Sequence, residues 1–338
     1  MTSMAAAFGE AARRRPDELV VSWIDSPGGP VRLRVVGRRL AGHLDGSLGH
    51  LAAAGQAPAL RVDLWDEAVT GVPCPVPTAH GTFPRDVNGT PVRLCPESNT
   101  IWTAGHGAVT EVALEAGRMV GWRADGSQLS IEERGRPFPV ALQAWLQTRG
   151  VVTLHAAAVA CEGRAALIVG DSGSGKSTAA LACAAAGFGF LGDDQVAVSG
   201  GEARVVVHSL FASARVDTTV VRLERSVPHT VHPAPNEAGK ALVLLSDPAT
   251  TVLRSAALAA IIVASVAPAA ESALERAGAK DALRAMIPST LLGVVLDRPA
   301  VLQSSARAVF GTRTYRLRSG RDLDAVPRLV AEALAQSQ

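Results

Sequence analysis

The stretch GDSGSGKST holds residues whose types and spacing are suited to phosphate chemistry. Gly170, Gly175, Lys176 and Ser177 satisfy the G-x-x-x-x-G-K-[ST] pattern. Its glycines let successive backbone N–H groups turn toward phosphate oxygens, the lysine reaches the outer phosphates, and the serine hydroxyl is a ligand for Mg²⁺. Gly170, Asp171, Ser172, Gly173, Ser174, Gly175, Lys176, Ser177 and Thr178 therefore form the expected nucleotide cradle. Two further features stand near it in sequence. Asp193 and Asp194 close the apolar run FGFLG, where paired carboxylates must be solvated, paired or metal-bound. One can ligate Mg²⁺ while the other accepts the proton of an attacking hydroxyl, the division of labour that phosphoryl transfer needs. His155 lies in TLHAAAV, just ahead of the cradle.

Lysine usage adds a candidate. Among 33 basic residues only Lys176, Lys240 and Lys280 are lysines, so a retained lysine marks a place where a compact, flexible charge matters more than a planar fork. Lys240 opens the apolar run KALVLL after a Pro-containing stretch, where a cation could meet the transferring phosphate or an acidic acceptor; the competing reading is a surface lysine.

These residues need a frame. Residues 165–169 read as an apolar strand, KSTAALACAAAG as a helix stopped by Gly187, and FGFLGDD as the next strand. TLHAAAVACEGRAALIVG reads as two strands joined by a two-residue turn at Glu162-Gly163, a register that puts position 155 opposite position 170. The Asp pair is expected on a strand beside the one that feeds the cradle. SAALAAIIVASVAPAA reads as a buried strand and loop, TYRLRSG as a strand, and DLDAVPRLVAEALAQ as a helix with Pro327 in its first turn. This order belongs to an α/β layer structure.

The first 148 residues differ in texture. VRLRVV and LRVDLW alternate at period two, a helix is expected around Ala41 to Ala54, and residues 71–99 are crowded with prolines. EVALEAG, MVGWRA and LSIEER read as further strands, and FPVALQAWLQTRG as a helix closed by Gly150. The expected organisation is a β-rich α+β domain for substrate recognition or assembly over 1–148, followed by an α/β domain over 149–338.

Residues 151–199, with the histidine in a hairpin strand, the GDSGSGKS loop, the helix ending in Gly and the strand ending in Asp-Asp, resemble the core of the HPr kinase/phosphorylase family. The resemblance implies a P-loop kinase fold related to phosphoenolpyruvate carboxykinase, with ATP and Mg²⁺ as cofactors and a hydroxyl, usually serine, as acceptor. It implies that Lys176 and the loop amides hold the β- and γ-phosphates, that Ser177 and Asp194 hold the metal, that Asp193 is the base, and that His155 neighbours the transferring phosphate. It also implies a homo-oligomer. Thr178 stands where those kinases carry glutamate, and FASARVDTT, with Arg215 and Asp217, stands in place of their EIRG-type signature. The closing YRLRSGRDLDAVPRLVAEAL is similar to divergent HPr-kinase-like proteins of biosynthetic operons, some of which modify ribosomal peptides on serine.

Composition narrows the partners. A net charge of +2 with both signs interspersed provides no basic stripe for nucleic acid. MTSMAAAFGEAARRRPDE reverses the charge order of a secretion signal, and no apolar run is long enough to span a membrane, so a cytoplasmic protein is expected. Cys74, Cys95, Cys161 and Cys183 show no C-x-x-C pair. The leading expectation is a serine kinase acting on a peptide or small protein. A kinase for free serine or a sugar, and a nucleotide-binding sensor or scaffold without transfer, are the other two readings.

Overall fold

Residues 3–76, 83–87, 89–105, 107–201, 204–217, 230–233, 240–245 and 251–336 are described in a computed structural model of the chain; within them, the side chains of residues 201, 217, 230–233 and 240 lie outside the description. The fold is mixed α/β with several sheets and helices. It divides into two units, Met1–Gly150 with Gly293–Leu296, and Val151–Leu292 with Asp297–Gln338.

The first unit runs α1 (Met4–Arg14), β1 (Leu19–Ser26), β2 (Gly29–Val36), α2 (Arg38–Leu48), β3 (Leu60–Asp66), α3 (Glu67–Thr70), β4 (Arg85–Val87), β5 (Thr90–Cys95), β6 (Thr100–Gly105), β7 (Ala108–Ala113), β8 (Arg118–Arg123), α4 (Ile131–Gly135) and α5 (Pro139–Gln147). Among the described residues its strands form one sheet in the order β1-β2-β3-β8-β7-β6-β5-β4. β2, β3 and β8 run parallel, and the remaining neighbours are antiparallel. Met4, Ala7, Phe8 and Ala11 recur at helical spacing on α1 and are buried with Trp65, Val109 and Val120. Each large apolar side chain buried this way contributes roughly 1.5–3 kcal/mol.

The expected strand over LSIEER is instead the helix α4. Ser130 accepts from the Glu133 N–H at 3.2 Å, and Glu132 and Glu133 fill the first turn. The S-x-x-E spacing supplies the cap and the acidic first turn a helix needs, and here it outweighs the apolar alternation.

The second unit runs β9 (Val152–Leu154), β10 (Ala157–Cys161), β11 (Arg164–Val169), α6 (Lys176–Ala185), β12 (Gly189–Gly192), β13 (Val196–Gly201), β14 (Arg204–His208), β15 (Ser213–Asp217), β16 (Thr230–Pro233), β17 (Lys240–Leu244), β18 (Ser255–Val266), β19 (Ala273–Ala277), α7 (Ala279–Leu292), α8 (Arg298–Phe310), β20 (Arg313–Ser319) and α9 (Val326–Ala335). The main sheet has the order β12-β10-β11-β18-β14-β13-β9, with β20 beside β18 and β19 beside β20; β15, β17 and β16 form a smaller sheet. β11, β18 and β20 are parallel and end at Val169, Val266 and Ser319, so the glycine-rich loop leaves the carboxyl end of a parallel strand. In open α/β sheets ligands gather at that end.

Val159, Ile168, Phe190, Ile262, Tyr315 and Val330 share the core beneath that edge. The strand read from SAALAAIIVASV is β18, buried along its middle as its unbroken apolar run requires. Helices α7 and α8 are unforeseen in the sequence reading. No helix among the described residues is long and apolar enough to cross a membrane.

Candidate functional site

The hairpin of β10 and β11 turns at Glu162 (φ 50°) and Gly163 (φ 74°). Two left-handed residues make the turn whose twist matches its strands, and Gly at the second position makes it inexpensive. Its register pairs Cys161 with Arg164 and Ala157 with Ile168. The paired register ends at Ala157 and Ile168, two residues short of the expected pairing of His155 with Gly170. His155 itself lies at the break between β9, which pairs with β13, and β10, which pairs with β11 and β12. Its backbone N–H donates to Thr290 Oγ1 at 3.1 Å, and its Nδ1 lies 4.0 Å from Asp194 Oδ1.

The loop from Gly170 to Gly175 needs its glycines. Gly173 and Gly175 have φ values of 80° and 92°, and a Cβ on Gly170 would collide with the Ser174 side chain and meet the Ala264 carbonyl. Gly175 caps α6 without a side-chain acceptor, so the helix begins with amide donors that no cap occupies. Asp171, Ser172 and Gly173 are exposed, while Ser174, Ser177 and Thr178 are half-buried. Ser174 Oγ is an inaccessible atom with no hydrogen-bond partner. Lys176 is buried and its Nζ donates to the Gly170 and Asp171 carbonyls at 2.8 and 2.9 Å, which folds the cation across the loop.

Asp193 follows β12 and is 1% exposed. Its Oδ2 accepts from the Arg215 backbone N–H at 3.1 Å, while Oδ1 is buried with no partner in bonding geometry. Burial, reinforced by the adjacent Asp194 charge, pushes its carboxyl up to about 6; the neighbouring Ser177 hydroxyl and the Arg215 and Asp194 amides act in the opposite direction. Asp194 is held at φ 63°, a conformation that non-glycine residues adopt at a cost. The turn is closed by the Gln195 N–H on the Asp193 carbonyl at 2.7 Å.

One expectation is corrected. β12, which carries the Asp pair, pairs with β10 and not with β11, the strand that feeds the loop. β10 has both its edges filled, by β11 and β12, and the other edge of β11 is taken by β18, whose long apolar run covers it. The Asp pair reaches the loop nonetheless, because Ser177 and Asp194 both act on Asp193.

Lys240 opens β17 opposite Asp217, two residues along β15 from Arg215. The Lys240 and Asp217 side chains, and residues Thr218 and Thr219 of FASARVDTT, lie outside the described residues. Thr290, buried on α7, was missed in the sequence because nothing in KDALRAMIPSTLL marks a threonine that meets residue 155.

A magnesium ion suits this donor set. Among the described residues no three His, Cys, Asp or Glu side chains cluster as a metal cage. A hydroxyl and one or two carboxylates are what a cation uses when phosphate and water supply its remaining ligands. The Ser177 hydroxyl and the Asp194 carboxylate both act on the buried Asp193 carboxyl, whose Oδ1 has no partner.

No family model and no curated protein matches the chain. Among solved structures, the Hpr(Ser) kinase/phosphatase from Coxiella burnetii matches with 12% identity and a TM-score of 0.29, over 54% of this chain and 97% of that one. A likeness that loose identifies neither fold nor activity.

Proposed function

We propose that this chain is a cytoplasmic ATP- and Mg²⁺-dependent kinase of HPr-kinase type that transfers the γ-phosphoryl group to a hydroxyl, that of a serine in a peptide or small protein. The observation that carries this reading is the buried Asp193 carboxylate beside Ser177 of the glycine-rich loop, with one oxygen lacking a partner. A module that only binds Mg²⁺-nucleotide uses one carboxylate beside the loop serine; a second, buried one with a raised carboxyl is what a proton-accepting role adds.

In this reading the loop amides and Lys176 hold the outer phosphates, Lys176 leaving the Gly170 and Asp171 carbonyls to do so. Ser177 and Asp194 hold Mg²⁺, which neutralises phosphate charge when bound. Asp193 takes the proton of the acceptor hydroxyl as its oxygen bonds the γ-phosphorus and ADP departs. His155, whose ring nitrogen lies 4.0 Å from Asp194, faces the transferring group, and Lys240 supplies further positive charge. The first unit recognises the substrate or assembles the homo-oligomer.

The test is to incubate the protein with γ-labelled ATP, Mg²⁺, serine-containing peptides, free serine and sugars. Label should enter a peptide serine and should fail to do so with Lys176→Ala. Tight ATP binding with no label in any acceptor would instead describe a sensor or scaffold and end this reading.

A further inference from the structure

The His155 amide sits where two ladders part. β9 pairs with β13 as far as Leu154, and β10 resumes pairing at Ala157 with β11 and at Ala158 with β12. Between them the chain must bend, and a half-buried amide at such a break is best satisfied by a partner from outside the sheet. That partner is Thr290 Oγ1, 3.1 Å away, on a residue 3% exposed within α7. α7 also packs against β9, which enters the break, and against β11, the hairpin partner of the strand that leaves it. Threonine is a poor choice for a helix, and its hydroxyl is a burden in a core; valine would fill the same space without either a polar atom to satisfy or a loss of shape. What threonine adds is the acceptor.

We infer that Thr290 is a positioning residue for the transfer site: its hydroxyl pins the main chain at the break and thereby holds the His155 ring toward Asp194, 4.0 Å away. This rests on the phosphotransfer reading for its effect on turnover, but not for its effect on the amide. Thr290 touches neither nucleotide nor acceptor in this scheme. A displaced ring costs turnover without weakening the cradle, because the Gly170–Gly175 loop and Lys176 hold themselves through their own hydrogen bonds.

The experiment compares wild type, Thr290→Val and Thr290→Ser by native-state hydrogen exchange at the His155 amide, by ATP binding and by steady-state transfer. In the wild type the His155 amide should exchange slowly, like the flanking strands; exchange as fast as an exposed loop overturns the inference without any variant. Thr290→Val should speed that exchange and lower kcat by about 10- to 100-fold, the size expected for a group displaced by about an ångström. Its KM and Kd for ATP should stay within about twofold of wild type, and Thr290→Ser, which keeps the acceptor, should restore both kcat and protection. Unchanged kcat and exchange in Thr290→Val, or a serine variant as impaired as the valine one, overturns the inference. If the wild type transfers to no acceptor, the proposed function fails, and the exchange data still decide whether Thr290 holds the break.

Discussion

The two units balance buried charge with different partners, although each holds a buried aspartate satisfied by amides, Asp66 in the first and Asp193 in the second. In the first, Arg34 grips Asp63 across β2 and β3 with two hydrogen bonds of 2.7 and 2.9 Å and lies over the Phe8 ring. Arg123, 3% exposed, contacts Glu133 and donates to the Trp122 carbonyl at 2.8 Å. Each of these charges meets its opposite, so the energy of burial is balanced locally and the pairs serve the fold. In the second unit Asp193 has a like charge as its nearest ionisable influence, and its stabilising contacts are amides and a hydroxyl. Burial raises both carboxyls, but Asp66 caps α3 through the Ala68 N–H and so serves the fold, whereas Asp193 keeps an oxygen without a partner beside Ser177, a cost that a ligand or a reaction can use.

The contrast can be broken by mutation. The largest effect on stability should come from Glu133→Ala, which strands the Arg123 guanidinium in the first unit; about 3–5 kcal/mol should be lost in a denaturant titration. If that variant loses under about 1 kcal/mol, the pair is not what holds the charge there.

Asp193→Asn should do the reverse and stabilise the metal-free protein. The folded carboxyl is raised to about 6 from an ordinary value of 3.8, so its contribution is fully present below the unfolded value and is lost as pH rises through about 6. At pH 8 the ionised, buried form is disfavoured by about 3 kcal/mol, which the amide variant recovers. Melting temperatures of the two proteins, taken in chelator from pH 4 to 8, should converge at the acid end and separate at the alkaline end. Parallel curves would remove Asp193 from its role as the strained charge.

Lys240→Ala should lower turnover by about tenfold, equivalent to about 1.4 kcal/mol in the barrier, with a smaller change in stability. Kinetics equal to wild type would return Lys240 to the surface. The smallest expected effect belongs again to the first unit: Glu67→Gln weakens the 2.7 Å bond from Trp122 Nε1 and should cost about 0.5–1.5 kcal/mol with no change in turnover.

What could be read from the sequence follows the same divide. Glu162-Gly163, the three loop glycines and Gly187 are residues whose backbone demands are local, and the turn, the loop and the end of α6 stand where they mark them. Because the turn fixes register, the pairing of β10 with β11 was legible too. Strand order was not. FGFLG is as apolar as any central strand, and nothing in it tells β12 to join β10 rather than β11. Thr290 lies 135 residues from His155, and a single hydroxyl at that separation carries no periodic signal. In the first unit, Ser130 and Glu133 outweigh the alternation in LSIEER, a local cap that the sequence itself carries.

In the proposed reaction Asp193 accepts a proton at a phosphate cradle. This role is tested most directly by comparing wild type and Asp193→Asn for ATP affinity and for γ-phosphoryl transfer to a serine hydroxyl with Mg²⁺. Equal or tighter ATP binding with transfer reduced by about 10²–10⁴-fold is the predicted result. Transfer by the variant at the wild-type rate would contradict it.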